Sequence, residues 1–265
     1  MRSMMVRPTA WTLLALAGVL AMASAAEAAV IYNGQLSSTT QIITASNNPF
    51  FVKGQDDVAG VNFYDSYRNS SPSAGPVNGV GFDDVEFGRK TTNRVGPFNL
   101  SANGTGPVLT ITWNISDFTE RTLTGFAATG SAPDAANLTA VAKQIFYMNS
   151  GKSITMSFTN LAAAGGKLYV QVLGGDEGWS GTVAVESNGA AVGTWTNADG
   201  VTSTASLFAF DTTADASGGL TLKLTSNNNY TGISSIIISR EIPEPATMCL
   251  LVLGGVAALV HRKRR

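Results

Sequence analysis

Between Val30 and Arg240 the chain has no histidine and no cysteine; the single histidine, His261, and the single cysteine, Cys249, both fall after residue 240. That absence excludes Ser-His-Asp and Cys-His nucleophilic catalysis from this stretch, together with zinc sites of the usual ligand types and any disulfide staple. Charge is scarce as well, at 13% of residues. From Val30 to Arg240, 11 basic residues stand against 15 acidic ones, so no basic stripe exists for a nucleic acid to follow, and none is expected as a partner. Helical periodicity is nearly missing too. The best stretch, residues 135–142, shows no clear amphipathic face. What is abundant is glycine, 28 residues in all, with many Ser, Thr and Asn, the composition of a sheet protein with frequent turns.

Period-two patterning bears this out. In residues 108–118, Leu109, Ile111, Trp113 and Ile115 alternate with Thr110, Thr112, Asn114 and Ser116, the mark of a half-buried strand. The same alternation recurs at residues 153–158, 167–173 and 219–224. Val183 and Val185 run into Asn188-Gly189, a dipeptide suited to the two positive φ values of a tight hairpin, and residues 191–195 return as its partner strand. Short strands separated by turns predict an all-β, antiparallel sandwich. Loops rich in Gly, Pro, Ser and Asn are expected at residues 69–78 and 101–107, neither long enough to divide the body into two domains.

Both termini read as trafficking signals. Arg2 and Arg7 precede an apolar stretch at residues 11–23 and then the small-residue series Ser24-Ala25-Ala26-Glu27-Ala28-Ala29, the pattern of a secretory signal peptide. Cleavage is expected after Ala28, with Ala25 and Ala26 as alternatives, and it implies the secretory translocon and signal peptidase as partners. At the other end, Pro243-Glu244-Pro245 leads into the uncharged residues 246–260 and then His261, Arg262, Lys263, Arg264 and Arg265. A greasy segment stopped by four consecutive cations belongs in a membrane with the basic cluster on the cytoplasmic side. As a helix those residues span about 22 Å, against roughly 30 Å of hydrocarbon, a short anchor. The prolines hold Glu244 in an extended stub of the kind that fits protease clefts.

In that order the Pro-Glu-Pro triplet, the apolar run and the basic cluster resemble the PEP-CTERM sorting domain of exported proteins from Gram-negative bacteria that make extracellular polysaccharide. The resemblance covers residues 242–265. It implies processing at or near Pro243, Glu244 and Pro245 by an exosortase, a membrane-embedded cysteine transpeptidase. It also implies an inner-membrane-anchored precursor with its body in the periplasm, and then a place in the envelope, on the surface or in the extracellular matrix. Residues 167–239 are similar to the closing half of a galactose-binding-like or related carbohydrate-module jelly roll. That similarity rests on Leu168-Tyr169-Val170-Gln171-Val172, the hairpin of residues 183–195, the run from Gly219 through Leu220 and Leu222 to Leu224, and a last strand at residues 233–239. The expected organisation is a signal peptide at residues 1–28, a jelly-roll-like β-sandwich at 29–241, and a sorting signal at 242–265 whose transmembrane helix occupies 246–260.

Carboxylates are the chemistry left to the body. Asp83, Asp84 and Glu86 are the first choice for a calcium site, because calcium takes oxygen ligands only, although their spacing fits no EF-hand loop. The same acids suit solvated turns, and paired carboxylates at the right separation would suit glycoside hydrolysis. Trp179, within the glycine-rich stretch 174–181, and Tyr230, after Asn227-Asn228-Asn229, are candidates for stacking on a sugar ring, with Asp176 beside Trp179 as a hydrogen-bonding group. Burial under a loop is the competing place for both rings, while Trp113, in phase with Leu109 and Ile111, is expected in the core. The expected function is that of a non-catalytic envelope or matrix protein that binds extracellular polysaccharide or builds structure, with calcium as the only candidate cofactor. The alternative is a secreted carbohydrate-active enzyme working through paired carboxylates.

Overall fold

The computed structural model describes residues 28–36, 56–64, 81–86, 94–100, 106–113, 119–122, 134–175, 181–196, 205–228 and 231–240. Within them the chain forms strands β1 (Ala29–Leu36), β2 (Asp56–Tyr64), β3 (Asp83–Glu86), β4 (Arg94–Asn99), β5 (Val108–Trp113) and β6 (Thr119–Thr122). Helix α1 (Asp134–Lys143) follows, then β7 (Gln144–Met148), β8 (Ser153–Thr159), β9 (Lys167–Gly175), β10 (Thr182–Ser187) and β11 (Ala190–Thr196). Strands β12 (Ala205–Thr213), β13 (Leu220–Asn228) and β14 (Thr231–Arg240) complete the fold.

Two sheets pack face to face. One runs β1-β12-β9-β14-β2-β3, with β7 also pairing β14 and β6 pairing β7; the other runs β11-β10-β13-β8-β5-β4. Pairing is antiparallel throughout except for β2 and β3, which run parallel, a departure from the all-antiparallel expectation. A single core fills the space between the sheets, with Phe63, Val170, Val172, Phe208, Phe210 and Ile236 from the first meeting Leu109, Ile111, Met156, Phe158, Leu222 and Trp195 from the second.

The second sheet follows the sequence pattern closely. Burial alternates along β5, β8, β10 and β13, with apolar residues inward and Thr, Ser, Lys223 and Glu186 outward. Trp113 lies in the core as its phase predicts. The hairpin between β10 and β11 turns at Asn188 (φ 50°) and Gly189 (φ 81°), both in the left-handed region that Asn and Gly tolerate. The first sheet departs from half-burial. In β9, Tyr169, Gln171 and Leu173 are buried as well as Leu168, Val170 and Val172, and β14 is buried from Thr231 to Ser239. The outer face is covered because α1 lies on it. Leu138, Val141 and Ala142, one face of that helix by their spacing, pack with Leu173, Leu207, Ala209 and Ile237. The helix therefore has a short apolar face, which its mostly Ala, Thr and Asn sequence hides from a periodicity test.

Register fixes which loops share an end of the sandwich. At the end where β14 finishes, Arg240 pairs with Leu168 and Asp56, Lys167 with Thr213, Leu220 with Phe158, and Ala29 with Asp211. At the opposite end, Gly232 pairs with Gly175, Thr231 with Met148, Thr182 with Asn228, and Leu36 with Ala205. The sheets are stitched together near their rims by two asparagines acting as peptide surrogates. Asn33 of β1 donates to Thr194 O and accepts from Thr196 N of β11, at 2.9 and 3.1 Å. Asn188 donates to Thr213 O of β12 and accepts from Thr221 N of β13, at 2.9 and 2.8 Å.

The tightest point of the fold is Gly174, where a Cβ would lie 1.9 Å from Gly232 O on β14 and 2.6 Å from the Trp195 ring. Backbone cannot yield there, because Gly174 and β14 share a ladder in the middle of a sheet. Gly174→Ala is expected to cost about 3 kcal/mol, the upper range for overpacking, whereas Gly189→Ala, at a turn with open space around it, should cost about 1 kcal/mol for its left-handed φ. Urea unfolding midpoints of the two variants at unchanged slope check the contrast.

Candidate functional site

The end of the sandwich away from Arg240 gathers amides and hydroxyls. Asn228 Oδ1 accepts from both the backbone N–H and the hydroxyl of Thr182, each at 2.9 Å, and Asn227 Nδ2 reaches Thr182 Oγ1 at 3.3 Å. Ser150 Oγ donates to Asn227 O at 3.3 Å from the turn between β7 and β8. That turn is held by Gly151 N donating to Ser226 O and Ser226 N donating to Lys152 O, with Gly151 at φ 73°. Asn227, Asn228 and Ser150 are exposed, so a rigid backbone presents their remaining hydrogen-bonding capacity to solvent.

Trp179, Asp176 and Tyr230 lie outside the described residues. The residues that flank their segments are described, however. Gly175 and Gly232 are ladder partners, as are Thr182 and Asn228, so both segments leave and rejoin the sheets at this same end. Thr182, Asn227, Asn228 and Ser150 did not stand out as functional in the sequence; only the Asn227-Asn228-Asn229 run hinted at this edge. Trp195, at the end of a strand in sequence, is wholly buried and unavailable to a ligand. The sorting residues Pro243, Glu244, Pro245, Arg262, Lys263, Arg264 and Arg265 also lie outside the described residues, as does the expected membrane span; among the described residues no helix is long and apolar enough to cross a membrane.

The acidic candidates sit elsewhere. Asp83, Asp84 and Glu86 are on β3, which among the described residues is an edge strand paired only with β2. Asp83 and Asp84 are exposed neighbours on one strand, so their side chains leave opposite faces of the sheet. Asn62 of β2 donates to Asp84 Oδ1 at 2.8 Å, a partner 22 residues away that no local pattern announces. Of Glu86 only the backbone pairing with Tyr64 is described. Among the described residues no three His, Cys, Asp or Glu side chains gather as a metal-holding group. Three acids on a short edge strand also discourage that edge from pairing with another sheet.

Comparison with known proteins bears most directly on the tail. Residues 241–265 match the PEP-CTERM protein-sorting motif. The chain is thus an exported protein with a C-terminal membrane-anchoring sorting signal, for which an exosortase is the processing partner. No curated protein matches the chain in sequence. Among solved structures, the plant receptor-like kinase ANX2 is similar at 10% identity and a TM-score of 0.38, over 48% of this chain and 39% of the kinase. A family 35 carbohydrate-binding module from an environmental isolate is similar at 22% identity and a TM-score of 0.28, over 36% of this chain and 74% of the module. An exo-beta-1,3-galactanase from Phanerochaete chrysosporium, solved with beta-1,3-galactotriose, is similar at 19% identity and a TM-score of 0.31, over 46% of this chain and 26% of the enzyme.

Partial burial raises the carboxyl pKa of both Asp83 and Asp84; the charge of Asp84 pushes Asp83 further up, and the Asn62 bond pulls Asp84 back. A carboxyl raised in the folded state favours folding while it is neutral, so this contribution is present below the ordinary carboxylate range and is lost as pH rises through the folded value. Asn62→Ala is expected to move the Asp84 titration upward, and Asp84→Asn to move that of Asp83 downward, as followed by carboxyl-carbon NMR; unmoved titrations would contradict the pairing.

Proposed function

We propose that the chain is a non-catalytic envelope or matrix protein that binds extracellular polysaccharide through the end of the sandwich built by Thr182, Asn227, Asn228 and Ser150, with Trp179 as the stacking ring and Asp176 and Tyr230 beside it. The observation that carries this reading is the amide and hydroxyl cluster at the strand ends that flank residues 176–180 and 229–230. Sugar hydroxyls are matched by paired donors and acceptors of this kind, and the apolar face of a pyranose by an aromatic ring. Sorting to the cell exterior brings such a surface to polysaccharide. Asp83 and Asp84 act here as edge-strand acids: hydrolysis needs two carboxylates facing one glycosidic bond, and these two leave opposite faces of a strand.

Co-sedimentation of the exported chain with the polysaccharide of its host tests the reading. Trp179→Ala and Asn228→Ala are each expected to weaken binding about tenfold or more, some 1.4 kcal/mol, with folding unchanged by far-ultraviolet circular dichroism. Binding equal to that of the parent in both variants would contradict it, and so would release of new reducing ends from the polysaccharide.

A further inference from the structure

The end of the sandwich opposite the amide cluster has a different character. Three of its turns lie wholly within the described residues, 160–166, 214–219 and Asn188-Gly189, and the connection from β4 to β5 returns at the same end, where Val108 pairs with Thr159. The first two are zipped to each other by backbone bonds, with Leu161 N and Ala162 N donating to Gly218 O, Gly165 N to Ala214 O and Ala214 N to Gly166 O. Gly218 is at φ 79° and so close to Ala162 O that no Cβ would fit. Small side chains dominate these turns. Their one charged residue, Asp215, has its carboxylate occupied by the N–H and hydroxyl of Ser217 and the N–H of Gly219, at 2.6 to 2.9 Å. Val30 and Ile31, near the start of β1 and a few residues in from this rim, are the large apolar side chains that the described surface exposes, at 44% and 40%.

The segment that precedes β1 and the segment that carries the sorting motif both join the fold at this end. Ala29 opens β1 opposite Asp211 near the rim, and Arg240 closes β14 at the same rim. Five residues, 241–245, separate Arg240 from the uncharged run, and fully extended they reach about 18 Å at most. β14 itself, 10 residues long, carries the fold roughly 33 Å in the other direction. We infer that the rim formed by residues 160–166, 188–189 and 214–219 lies against the lipid surface in the anchored precursor, and that the Thr182, Asn227 and Asn228 end points away from it. The inference rests on the sorting reading for the anchor. It adds that the body has one fixed membrane face, set by where β1 starts and β14 stops. A rim whose turns carry mostly small side chains, with Lys167 and Asp211 exposed at the adjoining strand ends, suits close approach to headgroups, and the short tether allows little else. The fold thereby separates handling from recognition: the membrane and the processing enzyme are at one end, and the polar cluster stands about 30 Å further out.

Site-directed fluorescence tests this in the full-length precursor reconstituted into phospholipid vesicles doped with a headgroup-nitroxide lipid. In a Cys249→Ser background, one dye is placed at Ala216→Cys or Ala163→Cys on the rim, or at Ser150→Cys on the opposite end, all exposed turn positions. The expected result is quenching at Ala216 and Ala163 several-fold stronger than at Ser150. Equal quenching at both ends, or stronger quenching at Ser150, in a chain that floats with the vesicles would overturn the orientation while leaving the anchor in place. A chain that does not float with the vesicles overturns the anchor, and the orientation with it.

Discussion

Strand β14 is the constraint on which the rest of this molecule depends. It pairs along its length with β9 on one side and β2 on the other, and at its start with β7 as well. Its Ile233, Ile236 and Ile238 enter the core between the sheets, while Ile237 faces the helix-covered side. A bulge near Ser234, whose hydroxyl donates to Leu173 O at 3.0 Å, keeps these faces in phase across the point where Gly174 and Gly232 touch. The strand is thus held by ladders on both edges and by apolar packing on both faces. It is also the last described element before the sorting motif, so the membrane tether is attached to the middle of the larger sheet rather than to a peripheral strand.

The two sheets divide the remaining work. The central strands of the eight-stranded one are covered on both faces, and their outer surface buries Gln171 and Ser239 alongside Leu207 and Ile237. The six-stranded one leaves a hydroxyl-rich face in water, crossed by the Lys223–Glu186 pair at 2.8 Å, an exposed contact of small energetic weight. The sheet margins are guarded in different ways. Asp83 and Asp84 charge the edge at β3, Pro97 removes a donor from β4, and Asn33 occupies backbone groups of β11 that would otherwise face an incoming strand. With its margins guarded, the sandwich presents its ends as the places for contact.

Where period-two alternation reaches only one buried face, sequence and structure agree residue by residue, as in Leu109, Ile111 and Trp113 or Leu220, Leu222 and Leu224. Asn188-Gly189 is equally legible because the turn demands those two residues for backbone reasons alone. β9 and β14 read less plainly: Tyr169, Gln171 and Ser235 look like solvent positions until α1 and neighbouring segments cover them. The helix itself is foreshadowed only at residues 135–142, since a face of Leu138, Val141 and Ala142 is too small to dominate its periodicity. The polar end required long-range register to bring Thr182 beside Asn228 and Ser150 beside Asn227, and the Asn62–Asp84 contact likewise joins segments with no sequence signal linking them. The sorting motif lies at the other extreme, legible in three consecutive pieces because a membrane and a processing enzyme read it in linear order.

Native-state hydrogen exchange tests the central role of β14 most directly. The account predicts that the amides of Ile236, Ile237 and Ile238 exchange only through global unfolding, with the same opening free energy as the slowest amides of β9, and ahead of edge strands β3 and β4 in protection. Exchange of those three amides through a partial opening, while β9 and β12 stay protected, would contradict it.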